Sequence, residues 1–241
     1  MKFCAIIMAR GGSKGIPRKN LSTIGGRKLI EWSLLFAKEA PQIMDIIVSS
    51  DDDEILSVAS NYQVSENLKR PECLAQDTTT DLETLTDILE CSSVLSGYDA
   101  FIQLRPTNPF RKLDWIDQCV ELINDRCGEY SAIRTIEPAV QNPYKMWLKD
   151  DNNKIEVFKQ IDNMSHSHSA PRQILPQVYF QNAHLDIIKT STIQGAEIVG
   201  EKPLGLVVPS GLPDIDTKND LEMARKNFRH YLEPQLVKYI I

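Results

Sequence analysis

Seven residues near the amino terminus are of the types that bind anions. Arg10, Lys14, Arg18 and Lys19 alternate with Gly11, Gly12 and Gly15 within ten positions. Glycines let backbone N–H groups come close to a phosphate, and the cations supply charge. The chain as a whole carries a net charge of −6, so this cluster runs against its own background. It reads as a triphosphate-binding loop. Neither the Gly-x-x-x-x-Gly-Lys-Ser/Thr motif nor Gly-x-Gly-x-x-Gly fits it, and Pro17 stops a helix from starting directly after the glycines. Far along the chain, Asp214 and Asp216 flank Ile215. Alternate residues of an extended segment point to the same side, so the two carboxylates can converge on one cation. Hard oxygen donors completed by substrate phosphates suit Mg²⁺. Asp216 or Thr217 would equally serve as a cap for a helix starting at Lys218.

These groups need a scaffold. Phe3 to Met8 is an unbroken apolar run, as expected of a central parallel strand covered on both faces. The glycine loop then lies at the carboxyl end of that strand, where open α/β sheets bind ligands. Further strands are expected at residues 45–50, 99–104, 130–136 and 205–209. Helices are expected over 29–37, 51–62, 81–91 and 114–125, and from Lys218 onward. Asp52 and Asp53 suit the first turn of the second helix as capping carboxylates, and Thr80 or Asp77 suits the start of the third. From residue 141 to 183 the βα rhythm gives way to prolines, amides and short alternating runs, read as a small extension of hairpins. The expectation is one α/β domain over residues 1–241, with a mostly parallel central sheet, helices on both faces and this extension.

The acidic balance argues against nucleic acid or a membrane surface as partner, and no apolar run is long enough to cross a membrane. Five cysteines, an odd number without a Cys-x-x-Cys pair, read as free thiols of a reducing compartment, and the expected location is the cytoplasm. His166 and His168, in a polar loop over residues 165–169, together with His184 lack the further donors a zinc site requires.

Ala9-Arg10-Gly11-Gly12-Ser13-Lys14-Gly15-Ile16-Pro17-Arg18-Lys19-Asn20 resembles the signature of the acylneuraminate cytidylyltransferases, also called CMP-sialic acid synthetases. Four later segments resemble that family's motifs in the same order. They are Arg70-Pro-Glu-Cys-Leu-Ala-Gln-Asp77, Pro106-Thr-Asn-Pro-Phe-Arg111, Pro171-Arg-Gln-Ile-Leu-Pro176 and Asp214-Ile-Asp-Thr217. The resemblance implies a Rossmann-like nucleotidyltransferase fold and transfer of CMP from CTP to an acidic sugar of the nonulosonic class, with pyrophosphate leaving. It implies catalytic roles for Arg10, Lys14, Asp214 and Asp216, the last two holding Mg²⁺. It places Ala9, Gly11, Gly12, Ser13, Lys19, Asn20, Arg70, Asp77, Thr79 and Thr80 around the nucleotide. Asp51 belongs near the nucleotide too. Arg105, Thr107, Lys145, Arg172, Gln173 and Asn182 would meet the sugar, with Lys145 and Arg172 reaching across a homodimer formed through the extension.

Three positions depart from the family pattern. Arg105 stands where glutamine is usual, Phe180 where arginine is usual and Asp186 where tyrosine is usual. One cation gained and one lost suggest a rearranged anion site, because a guanidinium grips carboxylate or phosphate in a charged fork that an amide cannot form. A sugar 1-phosphate or phosphonate acceptor is the alternative this raises. A non-catalytic nucleotide-binding relative is another.

Overall fold

The apolar run at the start does form the strand that its composition predicts. In the computed structural model, β1 spans Phe3–Met8, and Phe3, Cys4, Ala5, Ile6 and Ile7 are entirely buried. The structure describes residues 1–162, 164 and 166–241; Ser165, at the start of the polar histidine loop, lies outside them. In chain order there follow the hairpin β2 (Thr23–Ile24) and β3 (Arg27–Lys28), α1 (Leu29–Glu39), β4 (Ile43–Ser50), α2 (Asp53–Ser60) and β5 (Glu66–Lys69). Next come α3 (Asp81–Cys91), β6 (Ala100–Gln103), α4 (Asp114–Asp125), β7 (Ala132–Pro138), β8 (Trp147–Lys149) and β9 (Ile155–Val157). β10 (Tyr179–Lys189), α5 (Thr190–Gln194), β11 (Pro203–Val207) and α6 (Lys218–Tyr231) complete the chain.

Seven strands form the main sheet in the order β11-β7-β10-β6-β1-β4-β5. β1 lies between β4 and β6 and is parallel to both, and β4 is parallel to β5. β10 runs antiparallel to β6, pairing Asp186 with Gln103. This mixed order makes the sheet mostly parallel around β1, as the sequence predicts. The eleven-residue β10 was not legible as a strand from its composition.

The chain divides into two compact units. The larger comprises Met1–Thr135, Ala183–Leu206 and Gly211–Ile241. Its core on one face of the sheet joins Cys4, Ile6, Ile47 and Phe101 to Leu85 and Ile88 of α3 and Ile193 of α5. Alternation along the strands turns the neighbouring residues to the opposite face. There, Trp32 of α1 stacks on Phe228 of α6 with ring centroids 5.0 Å apart, and Phe110 meets the same ring at 6.1 Å. The helix starts are chemically specified. Asp52 caps α2 by accepting from the N–H groups of Glu54 and Ile55, while Thr80 and Thr217 form reciprocal capping boxes with Glu83 and Asp220.

The smaller unit comprises Ile136–Asn182 and Val207–Ser210 and contains the β8–β9 hairpin, with Trp147 opposite Val157. Short 3₁₀ turns at Pro143–Lys145 and Arg172–Ile174 punctuate it. In the first of these, Asn142 Oδ1 accepts from the Tyr144 N–H at 3.0 Å. Among the described residues, no helix is long and apolar enough to cross a membrane.

Candidate active site

The glycine loop leaves β1 after the Ala9 N–H donates to the Ser49 carbonyl at 3.0 Å. It is tied down by carboxylates and amides from other elements. The Gly11 N–H donates to Asp51 Oδ1 at 2.9 Å, so the first carboxylate of the acidic triplet anchors the loop while the second caps α2. Asn20 Nδ2 closes the loop by donating to the Arg10 carbonyl at 2.9 Å. Arg18 is in the left-handed region at φ 53° and pairs with Asp52 and Glu54 at 2.8 Å each. Two of the glycines are required by close approach. A Cβ on Gly11 would stand 2.8 Å from the Asp52 side chain, and one on Gly15 would stand 2.4 Å from the Asp216 backbone carbonyl. The loop and the acidic segment more than 190 residues later are thus in backbone contact (the Lys19–Asp216 pair spans 197 positions).

That segment has the geometry its alternation predicts. Ile215 is fully buried and its N–H donates to the Thr107 carbonyl at 2.9 Å, so its two neighbours face the other way. Desolvation, then the nearby charge of Asp216, pushes the Asp214 carboxyl above the usual range, while the Thr107 and Asn108 side chains act against that shift. Lys19 Nζ lies 2.6 Å from Asp216 Oδ1.

Loop and segment border a cleft of about 580 Å³ in the larger unit. It brings together Arg10, Ser13, Lys14, Lys19, Asn20, Arg70, Asp77, Thr79, Arg105, Thr107 and Asp216 from the residues singled out in the sequence. Ala9 is buried beneath it, Gly11 is spent on Asp51, and Gly12 faces open space. Thr80 is committed to its helix, its hydroxyl donating to Glu83 Oε2 at 2.7 Å. Lys145, Arg172 and Gln173 lie in the smaller unit, as does Asn182, whose amide donates to Glu137 Oε2 at 3.3 Å.

The chain's relatives fit this arrangement. The family model described as cytidylyltransferase matches residues 4–189. The chain belongs to the cytidylyltransferase family. A CMP-N,N'-diacetyllegionaminic acid synthase of Legionella pneumophila is 36% identical over 94% of this chain and 96% of its own length. One of Campylobacter jejuni is 32% identical over 90% and 91%, and a pseudaminic acid cytidylyltransferase of that organism is 31% identical over 93% and 95%. Among solved structures, a CMP:2-keto-3-deoxy-manno-octonic acid synthetase complexed with CTP aligns at a TM-score of 0.68 with 14% identity. It covers 96% of this chain and 100% of that one and confirms the nucleotidyltransferase fold.

Arg70 and Arg105 line the cytidylyltransferase cleft, and Arg111 is buried beside Arg105. Arg70 is only 6% exposed and donates to Ser49 Oγ at 3.1 Å and to the Ser49 carbonyl at 2.9 Å. Arg111 is fully buried and donates to the carbonyls of His184 and Arg105 and to Ser33 Oγ. Burial, then the charge of Arg105, pushes the Arg111 guanidinium down to about 9. Arg105 in turn donates to Asp186 Oδ2 at 2.9 Å and to Asp81 Oδ2. Asp186 is completely buried, and its other oxygen is 4.0 Å from Arg134 Nε.

Two of the three departures from the family pattern are therefore one feature. Arg105 is the counter-ion of Asp186. Each residue stands out in the sequence but their pairing does not, and neither do Asp81, Thr84 and Gln76, which also line the cleft. Asp81 had a signal of its own, a carboxylate directly after Thr79 and Thr80, but its position at the head of α3 also fits a helix start.

Proposed function

We propose that this cytidylyltransferase transfers CMP from CTP to the anomeric hydroxyl of a free acidic sugar of the nonulosonic class, releasing pyrophosphate. The observation that carries the reading is the backbone contact of Gly15 with Asp216. It puts a loop suited to a triphosphate and a segment suited to a metal ion at one end of one cleft. The acceptor class follows the relatives named as legionaminic and pseudaminic acid enzymes. Arg10 and Lys14 take the triphosphate and offset charge growing on the leaving pyrophosphate. Ser13, Lys19 and Asn20, with the backbone of Ala9, Gly11 and Gly12, shape the loop. Arg70 and Thr79 border the nucleoside, and Arg105 and Thr107 the acceptor side.

Asp214 and Asp216 fit Mg²⁺. An ion of this kind is held by one or two carboxylates plus substrate phosphates, which two aspartates beside a triphosphate loop can supply. Asp214 is crowded by Asp216, and a lysine ammonium already sits on Asp216, so this position attracts a cation. When bound, Mg²⁺ supplies Lewis acidity to the phosphates and to the attacking hydroxyl.

The test is pyrophosphate release with Mg²⁺, crossing each of four nucleoside triphosphates with free nonulosonic acids and with sugar 1-phosphates. Turnover with CTP and a free acidic sugar is expected. Turnover confined to phosphorylated acceptors would overturn the reading. The internal pairing of Arg105 with Asp81 and Asp186 removes the main argument for that alternative.

The enzyme acts as a homodimer in this reading, and we place it in the cytoplasm, in keeping with its unpaired cysteines. The smaller unit exposes Trp147, Leu148, Ile155, Phe158, Ile174 and Phe180. An apolar surface of this kind marks an interaction site, and a second copy of the chain is its occupant. Lys145 and Arg172 then serve the sugar bound by the partner, while Gln173 and Asn182 stay on the acceptor side. Light scattering should give a dimer, and Ile155→Glu/Phe158→Glu a folded monomer with strongly reduced turnover. A wild-type monomer at assay concentration would remove the dimer.

A further inference from the structure

The two cations that the proposed function assigns to the triphosphate already share a ligand. Arg10 Nη2 lies 2.9 Å from Asp77 Oδ1, and Lys14 Nζ lies 2.7 Å from Asp77 Oδ2. One carboxylate thus bridges both, one oxygen to each. Arg10 also donates from Nη1 to the Ala75 carbonyl, two residues before Asp77, at 3.4 Å. Lys14, then Arg10, holds the Asp77 carboxyl below the usual range, so it stays charged at neutral pH. The arrangement imitates a bound anion.

Resting on the triphosphate reading of this loop, we infer that Asp77 is an internal competitor that sets how strongly an anion must bind before the loop accepts it. Asp77 belongs to the same chain and lines the same cleft, so it competes with any ligand without a concentration term of its own. An incoming anion must replace both contacts before it gains the two cations. A pyrophosphate unit offers two adjacent anionic groups and replaces both at once. A single orthophosphate or phosphomonoester can span the same two cations, as the one carboxylate does, but it brings less charge to offset the exchange and stays weakly bound. On release of the product, Asp77 closes the pair again and helps expel pyrophosphate. Its role is thus opposite in sign to that of a residue in contact with the nucleotide.

The sign makes the inference testable. The bridge is partly exposed, with 39% of the Asp77 side chain and 83% of the Lys14 side chain open to solvent, and exposed ion pairs are individually weak. Two pairs lost together correspond to a gain of about tenfold in anion affinity. Calorimetric titration of the full-length protein in metal-free buffer, with pyrophosphate, CTP and orthophosphate as probes, measures this without turnover. Asp77→Asn should bind pyrophosphate and CTP about tenfold more tightly and raise the affinity for orthophosphate by a similar factor, while Asp77→Glu stays close to wild type. In a Lys14→Met background the gain from Asp77→Asn should shrink to about threefold, because only the Arg10 contact is left to release. Matching thermal melts control for folding. Weaker binding by Asp77→Asn would mean that Asp77 contacts the nucleotide itself, and binding within twofold of wild type would mean that the bridge has no effect; either result overturns the inference. Wild-type protein that binds neither CTP nor pyrophosphate, even with Mg²⁺, would instead overturn the triphosphate reading and the inference with it.

Discussion

Asp214→Asn is expected to lower kcat by about 10²- to 10³-fold, the scale lost when a charge-stabilising group is removed from a reacting site. Asparagine keeps the shape of the side chain and can still meet Thr107 and Asn108, but it brings no charge to a cation. The residue lies outside the lining of the cleft proper, so calorimetric affinity for CTP without metal should change little. Raising Mg²⁺ should recover part of the loss, because Asp216 still offers one carboxylate. Stability moves the other way. The folded state holds the Asp214 proton to higher pH than the unfolded chain does, and because Asp214 is exposed, water screens most of that shift, so the ionised group weighs only slightly against folding at neutral pH. Replacing it with a neutral amide removes that burden, and the melting temperature should stay constant or rise. An active enzyme with unchanged Mg²⁺ dependence would remove Asp214 from the metal site, and a large fall in melting temperature would make its role structural.

Much of this site was visible in the sequence because its parts are local patterns. Three glycines among four cations, an Asp-x-Asp on an extended segment and threonines three residues ahead of acidic residues each carry their own geometry. What was not legible is which partners those groups already have. Gly15 is small because a carbonyl some two hundred residues away touches it, and no spacing reveals that. Asp77 sits in a segment resembling a nucleotide-binding motif, yet both of its carboxylate oxygens are already paired with the loop's cations. Arg105 looked like a change in the charge of the pocket, and Asp186 like a separate departure from the family pattern. Their pairing depends on β10 lying antiparallel beside β6, with Asp186 opposite Gln103, two residues before Arg105. An antiparallel strand inserted beside a parallel one is set by tertiary packing, and its apolar residues alone do not announce it.

That pairing leads to the largest expected effect on stability. Asp186→Asn should destabilise the protein by about 3 kcal/mol, the range for breaking a buried ion pair from one side. The carboxylate is fully buried, and its loss leaves Arg105 with Asp81 alone and Arg134 without this nearby charge. Arg105→Gln alone should also destabilise, because it leaves the buried Asp186 carboxylate without its 2.9 Å partner. The double variant Arg105→Gln/Asp186→Asn puts two neutral amides in place of the two charges. It should therefore lose clearly less than the sum of the single variants, with a coupling of about 1–3 kcal/mol in a double-mutant cycle. Denaturant midpoints at constant slope supply the four corners of that cycle. Additive losses would mean that each residue is held by other contacts and that the two departures arose independently. A large coupling means that neither change is tolerated without the other, so an arginine at position 105 implies an acid at 186 for reasons of charge burial, whatever sugar the cleft accepts.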